Sequence, residues 1–436
     1  MGHPNIIYFH THDTGRYIQP YGAPIRTQRL QAFAEESVVF RNAHSAAPTC
    51  SPSRAALLTG QWAHTAGMLG LAHRGHRLKD YDRHLVRTLH RHGYTSALVG
   101  VQHEATGPGA ATQTIGYHED LPVTDKLAPA HRDAALRYLR RDHDRPFFLS
   151  IGLNETHTLR DTGWLFGHPG GDARWTAPAP TMPNAPITRS DMASFHAAAL
   201  QVDQALGAVL DTLQKEGLAD NTVVLVTTDH GIAMPDMKCT LGTTGTGVMM
   251  MVRAPGLPAG HAIDSLVSQI DVFPTLCELL GIDAPPWFQG TSLLPTLEGR
   301  QIREETFAEI TYHAAYQPER AIRTERWLYI QRFNDWNRPT LPNVDASGSK
   351  SLWVDAGWLD QELPTVRLHD LMFDPHEVRN LADCPTAASV RADLAERLER
   401  WMLETDDPLL LGPVPPPEGF PPPMAPDAPP TGPFPS

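Results

Sequence analysis

The residues with the most chemistry in this chain stand in the run Cys50, Ser51, Pro52, Ser53, Arg54. Pro52 suits the first turn of a helix, where the N–H it lacks would have no partner anyway. The Ala/Leu-rich stretch "RAALLTG" continues that helix, so Cys50 is expected at a helix N-terminus. Free backbone N–H groups and the positive end of the helix dipole favour an anion there, by roughly 0.3–1 kcal/mol and up to about 2 when partly buried. Arg54, one turn along, can send its guanidinium back toward the same point. The chemistry this supports is anion binding beside a cysteine; the plainer alternative is a structural cysteine next to a capped helix.

Such a centre needs rigid elements, and the chain supplies them. Apolar runs recur as "NIIYF" from residue 5, "SALVG" from 96, "FFLSIGL" from 147, "TVVLVTTD" from 222 and "VMMMV" from 248. Continuous runs of this kind fit strands buried on both faces of a mostly parallel sheet. Between them lie amphipathic helices, the clearest with Phe195, Ala199, Val202, Leu206, Val209 and Leu213 on one face. The alternation predicts a layered α/β domain over residues 1–300 with its functional groups at the carboxyl ends of the strands. Residues 301–406 read as a smaller α+β subdomain: "AIRTERWLYIQRF" at 321–333 as one antiparallel strand, "TVRLHDL" at 365–371 as its partner, then a helix with Val390, Leu394, Leu398 and Trp401 on one face. Residues 334–365 read as an irregular insert whose Trp336, Trp353 and Trp358 pin it to the body or offer a flat face to a sugar. Residues 407–436 are Pro-rich and expected to be extended or without order.

Composition bounds the partners. A net charge of −13 argues against nucleic acid and leaves the binding of an anion to local cations. The four cysteines, Cys50, Cys239, Cys277 and Cys384, have neither disulfide-framework nor metal-ligand spacing, which favours a reducing compartment. The start "MGHPNIIYFHTHD" lacks the pattern of a secretory leader and no apolar run is long enough to span a bilayer. A cytoplasmic location without membrane partner is expected; a homo-oligomer is left open.

The stretch "CSPSRAALLTG" resembles the signature of the type I sulfatases, in which the cysteine is oxidised to formylglycine by a maturation enzyme. The resemblance implies an alkaline-phosphatase-like fold, a mostly parallel sheet sandwiched by helices, and further site residues. "PNIIYFHTHDTG" matches the family's first ligand segment, with His12 and Asp13 where two aspartates are usual, and Asp229 and His230 match the second ligand pair. Together they imply one divalent cation, calcium first, with manganese, magnesium and zinc open. His103 matches a base that helps to expel sulfate, His157 a general acid facing the leaving group, and Lys238 a cation that binds sulfate. Val101 departs from the pattern, since lysine is usual there; Lys79, Arg74 or Arg323 are the candidates to replace it.

Within the family, "TGQWAHTAGMLGLAHRG" at 59–75 and "ITYHAAYQPERAIRT" at 310–324 are similar to the group containing heparan N-sulfatases. This implies a sulfated sugar such as N-sulfoglucosamine, with His313 and Arg320 as candidate substrate contacts. The expected reaction is hydrolysis of a sulfate ester or sulfamate. The rivals are a phosphonate or phosphate diester hydrolase of the same superfamily, and a glycan-binding relic without turnover, the latter motivated by His12 and Val101.

Overall fold

The computed structural model describes residues 3–158, 168 and 171–428. Its first 300 residues build ten strands: β1 (Asn5–Thr11), β2 (Val38–Phe40), β3 (Ala43–His44), β4 (Thr95–Gly100), β5 (Glu119–Leu121), β6 (Phe147–Gly152), β7 (Thr222–Thr228), β8 (Met250–Arg253), β9 (His261–Ile263) and β10 (Val267–Ser268). Eight of them form one sheet in the order β5-β4-β6-β1-β7-β8-β2-β9, while β3 and β10 pair separately. β1 lies in the middle, parallel to β6 on one side and to β7 on the other, and β8 alone runs against its neighbours. Because β4, β6, β1 and β7 are parallel neighbours, their carboxyl ends share one edge.

The apolar runs are continuous because both faces of the sheet are covered. Ile6 and Tyr8 join one core, with Leu57, Leu58, Val86 and Phe273. Ile7 and Phe9 join the other, with Leu30, Ala135, Val202, Leu206 and Val209. The helices Ala128–Leu139 and Pro186–Lys215 cover that second face, and the predicted stripe from Phe195 to Leu213 is buried. No helix among the described residues is long and apolar enough to cross a membrane.

The subdomain is a four-stranded antiparallel sheet, β11 (Glu305–Tyr312), β12 (Tyr316–Thr324), β13 (Trp327–Arg332) and β14 (Val366–Asp370), in sequential order. The single strand expected at 321–333 is therefore a hairpin: β12 turns at Glu325 and Arg326 and returns as β13. The helix Ala388–Glu404 lays Leu394, Leu398 and Trp401 on this sheet against Ile322, Tyr329 and Leu368. The same cluster takes in Ala56, Trp62 and Ile270 of the larger domain, so the two share a core.

Two expectations about irregular chain need revision. The insert carries a helix, Gly348–Asp355, capped by Ser347, and Trp353 and Trp358 pack with Leu341 and Val344 rather than standing open. The Pro-rich segment is extended but tied down as far as it is described. Asp407 is buried and ion-paired to Arg320, Val414 bonds Tyr312 and Tyr316, and Met424 bridges to Ala315. Residues 429–436 lie outside the described residues.

Candidate active site

Four parallel strands deliver their next residues to one place. β1 runs into His12 and Asp13, β7 into Asp229 and His230, β4 leads to His103 and β6 to His157. The helix Cys50–Thr59 begins with Cys50, as its Pro52 predicts. Asp13 and His103 both adopt left-handed backbone, at φ 55° and 62°; such conformations in residues other than glycine collect at functional sites. Gly231 allows the chain after β7 to fold back and present Lys238, since a Cβ there would lie 1.9 Å from the Thr244 carbonyl oxygen. The ends of β1 and β7 are stitched together by the Asp13 N–H, which donates to Asp229 Oδ1 at 2.8 Å.

Around Cys50 the charges alternate. Arg54 is buried and donates to Asp229 Oδ2 at 2.9 Å, to the Thr11 carbonyl at 3.0 Å and to His10 Nδ1. Its two terminal nitrogens thus hold the ends of β1 and β7, while Nε has no partner among the described residues. Lys238 Nζ donates to Asp13 Oδ2 and to Asp345 Oδ2, both at 2.8 Å, and lies 3.3 Å from His157 Nε2. Burial alone would raise both aspartate pKa values, but Lys238 beside Asp13, and His230, His12 and Arg54 beside Asp229, more than reverse it, so both stay carboxylates. Burial, seconded by Asp13 and Asp229, pushes the Cys50 thiol well above its usual value against the pull of Lys238 and Arg54. As cysteine, residue 50 is a neutral thiol at neutral pH and a poor nucleophile.

The donor set fits a divalent cation. His230 Nδ1 lies 3.0 Å from the Gly231 carbonyl, which turns Nε2 toward Asp13 Oδ1 at 3.3 Å and Cys50 Sγ at 3.5 Å. Two buried carboxylates and an imidazole nitrogen converging beside Cys50 are the donor types that hold a divalent cation. Asp13, Cys50, Asp229 and His230 form one group of potential ligands, and His12, Asp13, Cys50 and His157 a second that shares Asp13 and Cys50. His12 Nδ1 stands 3.1 Å from Asp13 Oδ1 and from Asp229 Oδ2, and its Nε2 meets His103 Nδ1 at 3.1 Å. Burial pushes the His12 pKa down to about 4, and burial with the neighbouring His12 and Arg54 holds His103 well below the ordinary imidazole range; both rings are neutral.

The structure brings Cys50, Arg54, His103, His157, Lys238, His12, Asp13, Asp229 and His230 into one site. His313 is buried close enough that Lys238 and Asp345 both act on it, and its Nδ1 has no partner among the described residues. Arg320 does not face the site. Its guanidinium is fully buried and spent on Asp407, the Ile310 and Glu319 carbonyls and Thr311, with Glu309 at 3.6 Å. Nothing basic replaces Val101 from two of the three candidates: Lys79 donates to the His64 carbonyl and Arg323 to Thr243 and Glu377. The turn Ala72–Arg74 is the one tied to the start of the Cys50 helix, through the Ala72 N–H and Ser51 Oγ at 3.0 Å. Sequence reasoning missed Asp345, which sits in the insert with no motif around it, and His10, whose bond to Arg54 follows only from their meeting across the sheet edge.

The sulfatase family model matches residues 4–282, and the model of the N-sulphoglucosamine sulphohydrolase C-terminal region matches residues 242–347. The chain belongs to the sulfatase family. It is 28% identical to human N-sulphoglucosamine sulphohydrolase over 454 residues, covering 89% of this chain and 88% of that protein. A solved 2-O GAG sulfatase superposes with a TM-score of 0.74 at 20% identity, over 94% of each chain. A second structure, of a protein in complex with its substrate D-glucosamine-2-N,6-O-disulfate, superposes with a TM-score of 0.70 at 18% identity, over 93% of this chain and 98% of that one. The fold is the alkaline-phosphatase-like one, and the protein is a sulfatase, a hydrolase.

Proposed function

We propose that this sulfatase removes the sulfuryl group from the sulfamate of a terminal N-sulfoglucosamine. The observation that carries the reading is the buried cluster of Cys50 with Asp13, Asp229, His230, Arg54 and Lys238, beside which His103 and His157 are only partly buried, His157 with 28% of its side chain exposed. Among the described residues, a group that reacts at position 50 therefore meets these two histidines first. The similarity to human N-sulphoglucosamine sulphohydrolase and to its C-terminal region supports the sugar and the sulfamate.

Cys50, oxidised to formylglycine, would supply as its aldehyde hydrate the oxygen that attacks sulfur, splitting one hard step into two. Asp13, Asp229 and His230, with His12 as a fourth ligand, would hold one divalent cation, which when bound acidifies the attacking hydroxyl and neutralises the sulfuryl oxygens. Two imidazoles in the set move the preference from calcium toward manganese or zinc.

The remaining residues divide the proton work. Arg54, fixed by Asp229 and His10, keeps a positive charge beside residue 50. Lys238 is held protonated: burial pulls its pKa down, but Asp13 and Asp345 raise it well above the ordinary value. His157 Nδ1 donates to the Thr158 carbonyl at 2.8 Å, which aims Nε2 at Lys238 and at the leaving group. The pair protonates the departing nitrogen. On the opposite flank the neutral His103 takes a proton from the side chain at position 50 as sulfate leaves.

The test is sulfate release by matured protein from N-sulfoglucosamine, glucosamine 6-sulfate, an aryl sulfate and a matched phosphodiester. The sulfamate is expected to lead the sugar ester at least tenfold in kcat/KM. Turnover of aryl esters alone overturns the sugar assignment, faster phosphodiester cleavage moves the protein to the phosphonate/phosphate group, and binding without turnover makes it a relic.

A further inference from the structure

Asp345 is a carboxylate at the one place in the site where an anionic substrate would least want it. Its Oδ2 lies 2.8 Å from Lys238 Nζ and 3.7 Å from His157 Nε2. Lys238 is thereby shared between two carboxylates, Asp13 and Asp345, so this corner carries one positive and two negative charges before substrate arrives. A residue needed only to fix Lys238 would duplicate what Asp13 already does.

Asp345 is also held rigidly. Lys350 Nζ donates to the Leu341 and Val344 carbonyls, both at 2.7 Å, and Ser347 caps the helix that follows. Ser349 bonds Asp191 of the long helix through both its N–H, at 2.6 Å, and its hydroxyl, at 2.7 Å. Asn343 bonds Ala315 and Gln317 beside His313. Behind Lys238 and this loop lies a cavity of about 50 Å³ lined by Asn343, Val344 and Gln317. That space does not admit a sugar, whereas a leaving group that meets His157 Nε2 comes to the face where Asp345 Oδ2 lies 3.7 Å from that nitrogen.

What a carboxylate does at a leaving atom depends on whether that atom carries hydrogen. A sulfamate nitrogen bears one N–H, and as the N–S bond breaks and an S–O bond forms, the nitrogen takes a proton and departs as an amine that becomes an ammonium with three donors. A carboxylate acceptor therefore binds it more tightly as the reaction proceeds, which is what accelerates a chemical step. The bridging oxygen of a sulfate ester has no hydrogen, and its lone pairs meet the carboxylate unfavourably until it is protonated.

We infer that Asp345 is a specificity-determining residue that accepts a hydrogen bond from the scissile nitrogen and selects sulfamates, and amino sugars as products, over sulfate esters. This rests on the sulfamate reading above for its substrate, so two measurements are needed. In matured protein the ratio of kcat/KM for N-sulfoglucosamine to that for glucosamine 6-sulfate should fall on the order of 30-fold in Asp345→Asn, because a site that offers an amide loses its charge-assisted acceptor. Asp345→Glu should recover part of the ratio. A ratio within twofold of wild type in Asp345→Asn overturns the inference.

The second measurement uses inhibition of aryl sulfate turnover by methyl glucosaminide and by methyl glucoside. Wild type should hold the amine at least about tenfold more tightly than the hydroxyl analogue, and Asp345→Asn should erase that preference. If wild type releases no sulfate from the sulfamate, the substrate reading has failed, and this comparison still decides the residue: an amine preference lost in the variant supports it, and no preference in wild type overturns it.

Discussion

Glu104 follows the catalytic candidate His103 in the chain, is 1% exposed, and has no partner for Oε2 among the described residues. Burial pushes its pKa up to about 8 although Arg54 pulls the other way. The carboxyl is therefore protonated in the folded protein at neutral pH. The unfolded chain ionises near the ordinary value, so between about 4.5 and 8 the folded state binds the extra proton and stability falls as pH rises, levelling off above 8. A rise from 4.5 to about 8 sets a ceiling of roughly 5 kcal/mol at 1.36 kcal/mol per pH unit, and relaxation around the charge should leave about 2–3. Glu104→Gln keeps the shape and cannot ionise. Its stability relative to wild type, from urea unfolding of chelator-treated protein at pH 5, 6.5 and 8.5, should grow by about 2 kcal/mol across that range, the other titrating groups cancelling in the difference. A difference constant within about 0.5 kcal/mol would show that Arg54 keeps the carboxylate ionised in the fold, and the argument from burial would be wrong.

Four further outcomes are expected. Cys50→Ala should abolish sulfate release and shift stability by at most about 2 kcal/mol, and active wild type should carry the aldehyde at position 50; active protein with only unmodified thiol there refutes the nucleophile. Asp229→Ala should lose metal in elemental analysis and about 3–5 kcal/mol, since buried Arg54 loses its carboxylate; stoichiometric metal with full activity would remove Asp229 from the ligand set. Asp407→Ala should cost about 3 kcal/mol in urea unfolding, Glu309 remaining as a weaker partner for Arg320, and no change would mean the pair is dispensable. Truncation after Leu411 should raise KM and lower the thermal midpoint, because the removed segment bonds Tyr312 and bridges Ala315 on either side of His313; unchanged kinetics would show that the segment is not part of the site wall.

Much of the site was legible because parallel strands put their following residues on one edge, so an Asp after "NIIYF" and an Asp-His after "TVVLVTT" had to meet. The rest depended on facts that sequence does not carry. Alternation shows that β12 has two sides but not which side is inside, and Arg320, whose register partner is Glu309, points into the interior. The hairpin at Glu325 and Arg326 has no Gly or Pro to mark it, so the alternation runs on across the turn. Asp345 follows from how Lys350, Asn343 and the tryptophans seat the insert, none of which has a periodic signature.

On the proposed reading, in which a second enzyme oxidises Cys50, the enclosure of that residue turns the making of active enzyme into a race. Cys50 is 4% exposed and in the first turn of a helix, so the oxidising enzyme would reach it only while this part of the chain is still open. The closing event is slow by nature, because β1 is completed by β7, with Asn5 pairing to Thr222, and contacts that distant in sequence form late. The fraction of competent molecules is then set by two rates, oxidation against closure, and not by stability. Variants selected to fold faster, or expression at temperatures that hasten folding, would yield more soluble protein of lower specific activity. A crop of well-folded but inactive molecules is thus the expected side product of this architecture, and mass at position 50 counts them.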